Sequence, residues 1–167
     1  MSDTLLPEDI VSLATRVVRE NEAAGRKVAV AESCTGGLVG AALTAVAGSS
    51  VVFDRGFITY SNSSKEAVLG VSPDILEAFG AVSVACAWAM AQGAIRESDA
   101  DVAVAVSGIA GPDGGTDLKP VGLVVLARAL RDCTPDEIKA EEMRFESDTR
   151  DGVRHQATLA ALELLLP

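Results

Sequence analysis

The chain has 167 residues and a formal net charge of −10, with 49% hydrophobic and 23% charged residues. This length and composition predict one globular domain over residues 1–167 and argue against a disordered chain. Nucleic acid and acidic membranes are disfavoured as partners because their phosphates would be repelled, although a few local cations can still bind a small anion. No apolar run approaches the roughly 18 residues that a membrane span requires.

Cysteine and histidine usage limits the chemistry. The three cysteines, Cys34, Cys86 and Cys133, are an odd number without CxxC spacing, which favours reduced thiols in the cytoplasm over a disulfide framework. The N-terminal sequence MSDTLLPEDI has neither a basic lead nor an apolar core, so we expect no export. His155 is the single histidine. A three-histidine metal site is therefore excluded, and we expect chemistry without a metal or another cofactor.

Hydrophobic spacing predicts alternating helices and strands along the chain. Pro7, Glu8 and Asp9 suit the first turn of a helix, and Gly25 is placed to end it. In chain order, the predicted elements are a helix over 7–24, a strand over 27–31, a helix over 38–46, a strand over 51–61, short helices over 63–70 and 73–79, a longer helix over 83–97, strands over 101–106, 121–130 and 138–145, and a closing helix from about residue 150.

This alternation predicts the α/β class, as a three-layer α/β/α sandwich. Hairpin-like spacing between the later strands favours a mixed sheet over an all-parallel one. The helix over 83–97 is nearly all apolar or small, so we expect it to be buried or to form an interface.

Three polar loops follow predicted strands, at residues 32–37, 60–65 and 107–115. Ligands of open α/β sheets collect where loops leave the carboxyl ends of strands. If two or three of these strands run in the same direction, their loops meet at one edge. We expect the functional site there.

The first loop, Glu32 to Gly37, places Ser33 just before a helix whose first N–H groups are unpaired. This position suits a nucleophile and the oxyanion formed when it attacks a carbonyl, and Gly36 and Gly37 allow close backbone approach. The competing interpretation is that Ser33 or Thr35 only caps the helix. Cys34 is an alternative nucleophile, although a cysteine after a buried strand is more often a small apolar filler.

The second loop, TYSNSSK, offers a base for that serine. A lone hydroxyl needs a neighbouring base, and an amine can act as one if burial lowers its pKa. Lys65 is the best-placed candidate, and Tyr60 could relay a proton. The alternatives are a surface lysine near a helix start and a strand-end tyrosine with its hydroxyl in water.

The third loop carries five glycines from Gly108 to Gly122, and its N–H groups could form a nest for phosphate or carboxylate. It could equally be a long strand connection. Arg150 and Arg154, four residues apart, could clamp a phosphate from the same helix face. Their alternative role is pairing with nearby acidic residues.

Four motifs in this order resemble one family closely: AESCTGG at 31–37, GSS…RGFITYSN…K at 48–65, GAVS at 80–83 and SGIAGPDGGT…KPVG at 107–122. It is the CinA C-terminal domain family, whose characterised members are nicotinamide-mononucleotide deamidases. The resemblance runs from about Lys27 to the last helix and is similar to the stand-alone form. It implies hydrolysis of nicotinamide mononucleotide to nicotinate mononucleotide and ammonia without a cofactor, and a homodimer or higher oligomer.

The resemblance maps the family's catalytic serine, tyrosine and lysine onto Ser33, Tyr60 and Lys65. In the resulting hypothesis, neutral Lys65 takes the serine proton directly or through Tyr60, and N–H groups over 35–37 hold the oxyanion. Glu32 and Thr35 orient the amide, and residues 107–111 hold the ribose phosphate. The expected substrate-binding residues are Glu32, Thr35, Gly36, Gly37, Asn62, Ser107, Gly108, Gly111 and Arg150. The segment before Arg150, FESDT, departs from the family by lacking a glycine and being one residue longer.

Three alternatives remain at this point. The chain could be a nucleotide-binding or competence-related regulatory module without catalysis, or a cysteine amidase that uses Cys34. A structural protein without a site is the third, and three polar loops of this kind exceed what folding alone needs.

Overall fold

The computed structural model describes residues 4–167; the predicted absence of an export signal rests partly on residues 1–3, which lie outside it. The elements are α1 (Glu8–Ala23), β1 (Val28–Glu32), α2 (Leu38–Thr44), β2 (Phe53–Ile58), α3 (Asn62–Leu69), α4 (Pro73–Phe79), α5 (Val84–Arg96), β3 (Val102–Gly108), β4 (Leu123–Leu130), β5 (Lys139–Arg144) and α6 (Arg150–Leu164). Across this part of the chain, no helix has the length and apolar character needed to cross a membrane.

The five strands form one mixed sheet in the order β2-β1-β3-β4-β5. β1 runs parallel to both β2 and β3, whereas β3, β4 and β5 pair antiparallel in succession. The predicted mixed sheet is therefore confirmed. It places the carboxyl ends of β1, β2 and β3 at the same edge, which we call the carboxyl edge.

Alternating residues of the central strands divide the core into two layers. Val28 and Val30 of β1 face a cluster with α1, α2 and α6, while Ala29 and Ala31 face a cluster with α3, α4 and α5. The period of two follows from the strand pleat. The predicted three-layer sandwich is confirmed.

Small residues line the second layer, and Gly93 lets α5 pack closely against the end of α3. The helix is mostly buried, and a Cβ at Gly93 would lie 2.1 Å from the carbonyl oxygen of Leu69. Burial inside this subunit therefore accounts for the apolar sequence of α5. The buried alternative predicted from its sequence is confirmed.

The predicted strand over 51–61 is too long at both ends. Ser49–Val51 form a 3-10 turn, and the sheet pairing of β2 ends at Ile58. β1 offers only five residues to pair with, so the chain leaves the edge at Thr59. This early departure brings Thr59 and Tyr60 beside the first turn of α3.

Candidate active site

Backbone hydrogen bonds join the loops at the carboxyl edge. The N–H of Ser33 donates to the carbonyl of Val106 at 2.9 Å, and the N–H of Thr59 donates to the carbonyl of Glu32 at 2.9 Å. The expected meeting of the loops is confirmed, because the three preceding strands run in the same direction. Ser33 is thus held by its backbone N–H, which leaves its hydroxyl available to a side chain.

Lys65 reaches this hydroxyl from the first turn of α3. Its Nζ lies 3.0 Å from Ser33 Oγ, and its side chain is completely buried. Burial, the main influence, lowers the pKa of Lys65, while the nearby Cys86 and Cys34 thiols act in the opposite direction. The alternative of a solvated surface lysine is therefore wrong.

The surroundings of Lys65 Nζ suit an uncharged amine. Besides Ser33, its partners are the carbonyl oxygens of Thr59 at 2.6 Å and Tyr60 at 3.2 Å. A neutral amine has two N–H donors and one lone pair. Two carbonyls accept the N–H groups, and the lone pair can accept the Ser33 proton. No carboxylate among residues 4–167 pairs with this amine, so nothing there stabilises its positive charge by an ion pair.

Glu32 is buried and fixes the first loop rather than presenting a free carboxylate. Its carboxylate accepts from the Thr35 hydroxyl at 2.6 Å and from the N–H groups of Gly37, Val39 and Gly40 at 3.2, 3.0 and 3.0 Å. An anion at a helix N-terminus satisfies orphan donors and complements the dipole. The prediction that Glu32 and Thr35 orient the amide is corrected, since their polar atoms bind each other and α2. The capping alternative for Ser33 or Thr35 is likewise wrong.

The glycines of the first loop are required by backbone conformation. Gly36 and Gly37 have φ of 58° and 102°, and a Cβ at Gly37 would lie 3.0 Å from Ile58 Cδ1. Their N–H groups already donate to the Ser33 carbonyl and the Glu32 carboxylate. The prediction that they hold the oxyanion is corrected, because both donors have acceptors within the protein.

The N–H groups of Cys34 and Thr35 approach the Cys34 thiol. They lower the pKa of this thiol, but burial is the larger influence and raises the pKa to about 11. The thiol is therefore protonated at neutral pH and a poor nucleophile. These two N–H groups directly follow Ser33 in the chain.

Tyr60 and Arg150 connect the second and third loops at the solvent side of the site. Arg150 donates to the Tyr60 hydroxyl at 3.0 Å and to the Gly111 carbonyl at 2.8 Å. Tyr60 therefore contacts Lys65 through its carbonyl, while its hydroxyl accepts from Arg150. A proton relay through Tyr60 stays a prediction. Asn62, also exposed, begins α3 beside them.

Ser107 and Gly108, predicted to begin the third loop, lie at the end of β3, where Ser107 is buried and Gly108 half-buried. Ser107 donates its hydroxyl to the Ala81 carbonyl at 2.9 Å. Gly108 provides space, since a Cβ there would lie 3.1 Å from Cys34 Sγ and 2.8 Å from a methyl group of Val124. Both residues therefore help to position the start of the third loop.

Arg154 holds the first loop from α6. It donates to the carbonyl oxygens of Cys34 at 3.1 Å and Thr35 at 3.2 Å. Neither Arg154 nor Arg150 pairs with a carboxylate in the described chain, so the predicted alternative of acidic partners is wrong. The spacing of four residues between Arg150 and Arg154 predicted that they share a helix face. It did not predict that Arg154 would donate to backbone carbonyls of the first loop.

Thr59 is the residue that sequence reasoning missed. Its carbonyl accepts from Lys65, and its own hydroxyl is buried without a partner among residues 4–167. The residue was predicted to lie inside a strand, where its carbonyl would have bonded a neighbour. Only the early end of β2 frees that oxygen for the amine.

The fold and site define a mixed-sheet α/β protein with a buried serine–lysine pair at the carboxyl edge. The chain belongs to the CinA C-terminal domain family, whose model matches residues 10–167. A similar solved structure is the competence/damage inducible protein CihA from Agrobacterium tumefaciens. It has a TM-score of 0.92 and 48% identity, covering 97% of this chain and 96% of that one.

Two curated relatives differ in length. The "Nicotinamide-nucleotide amidohydrolase PncC" of Enterobacter agglomerans is 49% identical over 145 residues, which are 87% of this chain and 86% of that protein. A "CinA-like protein" of Shewanella loihica is 43% identical over 165 residues. This chain spans 38% of that relative's length, and about a third of several others.

Proposed function

We propose that this chain is a nicotinamide-nucleotide amidohydrolase that converts nicotinamide mononucleotide to nicotinate mononucleotide and ammonia. The observation that carries the proposal is the contact of 3.0 Å between a buried lysine amine and the Ser33 hydroxyl. The substrate comes from the name of the Enterobacter agglomerans relative. Ser33 is the nucleophile, Lys65 the base and Tyr60 a substrate-side residue.

The first step uses the neutral amine of Lys65. It accepts the Ser33 proton directly, and Oγ attacks the carboxamide carbon, whose oxygen becomes an oxyanion. Collapse of this tetrahedral species breaks the C–N bond. The proton on Lys65 passes to the departing nitrogen, so ammonia leaves and an ester remains on Ser33.

Water completes the reaction by the same route. Lys65 takes a proton from the water, the resulting hydroxide attacks the ester carbon, and the proton returns to Ser33 Oγ as nicotinate mononucleotide leaves. We assign the oxyanion contact to the N–H groups of Cys34 and Thr35, whose only acceptor in the described chain is the weakly accepting Cys34 sulfur. Those of Gly36 and Gly37 donate to oxygen atoms of Ser33 and Glu32.

Substrate binding is assigned to the solvent side of the pair. Arg150 is exposed and lies between Tyr60 and Gly111, so its guanidinium supplies the positive charge for the 5′-phosphate. Asn62 lies next to this entrance. Glu32, Thr35, Ser107 and Gly108 position the loops without touching the substrate.

Ammonia release from nicotinamide mononucleotide tests the proposal directly. The purified protein is assayed with chelator present, beside the variants Ser33→Ala and Ser50→Ala. Ser50 is exposed before β2, at the opposite end of the sheet, so its variant is the matched control. We expect Ser33→Ala to lose activity with an unchanged circular dichroism spectrum, and Ser50→Ala to keep it. An active Ser33→Ala would contradict the serine mechanism.

A second candidate is a nucleotide-binding module without turnover. It is favoured by relatives named "Putative competence-damage inducible protein". Binding of the mononucleotide to the wild-type chain with no ammonia released would support this module over the enzyme. A single domain, a cytoplasmic location and a homodimer or higher oligomer stay predictions.

A further inference from the structure

A second group of cations lies at the opposite end of the sheet from Ser33. Arg26 precedes β1, and Arg128 lies on β4 with its side chain on the α1 and α6 side. They line a common cavity of about 390 Å³, a size within the range of small-molecule sites. Arg26 and Ser33 flank β1, so the two sites are separated by on the order of 20 Å.

The two guanidinium groups are close enough to repel each other. Burial is the main cause that lowers the pKa of Arg26, the charge of Arg128 lowers it further, and Asp101 acts in the opposite direction. Neither arginine forms an ion pair with a carboxylate of residues 4–167. The Asp101 carboxylate is engaged by the N–H of Lys27 at 2.8 Å.

The protein also leaves donors of both arginines without acceptors. Arg26 Nη2 and Arg128 Nε are buried and have no hydrogen-bond partner in the described chain, and Arg128 Nη2 has only a long contact of 3.4 Å to the Leu166 carbonyl. By contrast, the guanidinium of Arg131, which lines the same cavity, has acceptors within the protein. It donates to the carbonyls of Ala100, Ile95 and Ser98 at 2.7–2.8 Å.

Two guanidinium groups without a carboxylate partner among residues 4–167 line one cavity, and such groups ordinarily bind anions. Phosphate fits the planar fork of arginine in bidentate geometry. Asp101, Asp132 and Glu137 also line the cavity. The Glu137 carboxylate accepts from Thr134, while those of Asp101 and Asp132 can accept hydrogen bonds from hydroxyl groups of a ligand. We propose that Arg26 and Arg128 form a second anion site that takes a phosphate monoester bearing hydroxyl groups.

This site is independent of the proposed amidohydrolase chemistry. It uses none of the residues assigned to catalysis or to the substrate phosphate. A phosphate probe could also reach Arg150, so the experiment must report each arginine separately. Nitrogen-15 NMR of the arginine Nε–H groups does this in the intact chain.

The titration uses inorganic phosphate and, in parallel, ribose 5-phosphate. We expect saturable shifts of the Arg26 and Arg128 signals with both probes. The sugar phosphate should bind roughly tenfold more tightly through its hydroxyl contacts, and Asp132→Asn should remove that advantage. Equal affinity for both probes would overturn the hydroxyl assignment. Unmoved Arg26 and Arg128 signals at saturation of Arg150 would overturn the site.

Variants separate this site from general anion attraction. Arg128→Met should abolish the shift at Arg26, while Arg19→Gln, at an exposed position of α1, and Ser33→Ala should leave it unchanged. A shift that persists in Arg128→Met, or is lost in Arg19→Gln, would refute the site. Arg128→Met should also raise the thermal midpoint without phosphate, because it removes like-charge repulsion and unpaired donors. The wild-type titration decides the question if that variant does not fold.

Discussion

The two ends of the sheet hold basic side chains in different ways. At the carboxyl edge, the Lys65 amine has a partner for every donor, and burial lowers its pKa. At the other end, Arg26 and Arg128 keep buried donors without acceptors. Lysine can give up its proton to escape the cost of burial, whereas arginine stays charged. The first arrangement favours proton transfer, and the second favours binding an anion.

Replacing Lys65 tests the first half of this comparison and has the largest expected effect. In Lys65→Met, the rate of ammonia release should fall on the order of 10³-fold, because Ser33 loses its base. The fold should be retained, since methionine fills the buried space without a donor. Lys27→Met, at an exposed lysine before β1, is the control. A Lys65→Met protein with wild-type rates would exclude Lys65 as the base.

Replacing Glu32 has the next largest expected effect, which is a loss of stability. Glu32→Gln weakens four hydrogen bonds at the start of α2, so we expect the free energy of unfolding to drop by about 2–3 kcal/mol. Urea unfolding measures it. Glu66→Gln, at an exposed position of α3, should change it very little. Equal values for both variants would show that the buried carboxylate does not hold the loop.

The pH dependence distinguishes the two ends directly. The pKa of folded Lys65 lies below its ordinary value of 10.5, so the unfolded chain binds a proton at pH values where the folded chain does not. Stability therefore rises with pH from the folded pKa up to about 10.5. The activity should rise through the same folded pKa, because the base must be neutral.

Matched variants isolate this effect. The gain in stability from Lys65→Met should be larger at low pH and should shrink as the pH rises. Any gain in stability from Arg128→Met should not depend on pH, because arginine does not titrate in that range. Urea unfolding at several pH values compares them. A pH-independent difference for Lys65→Met would contradict the lowered pKa.

Cys34 should matter least for activity. Its pKa of about 11 keeps it protonated at neutral pH, so Cys34→Ala should keep the rate of ammonia release within roughly twofold of wild type. Cys133→Ala, at a half-buried position far from the site, is the comparison. Loss of activity in Cys34→Ala alone, with an unchanged fold, would revive the cysteine mechanism.

Local sequence signals located most of the fold and the three loops. Gly25, Gly70 and Ser83 mark element ends in the structure as they do in the sequence. The length of β2 was misjudged because its β-branched and aromatic residues continue beyond the five residues that β1 can pair with. Strand length was set by the partner, which periodicity does not report.

The sequence by itself determined the α/β class and the polar loops after the strands, because periodicity and residue chemistry are local properties. It named Ser33 and Lys65 as candidates, and the family resemblance selected them over their alternatives. Only the tertiary structure decided that Lys65 is buried with two carbonyls, that Glu32 caps α2, and that Arg26 meets Arg128. These depend on groups far apart in sequence, such as Arg26 and Arg128, whose burial and partners exist only once the sheet brings them together.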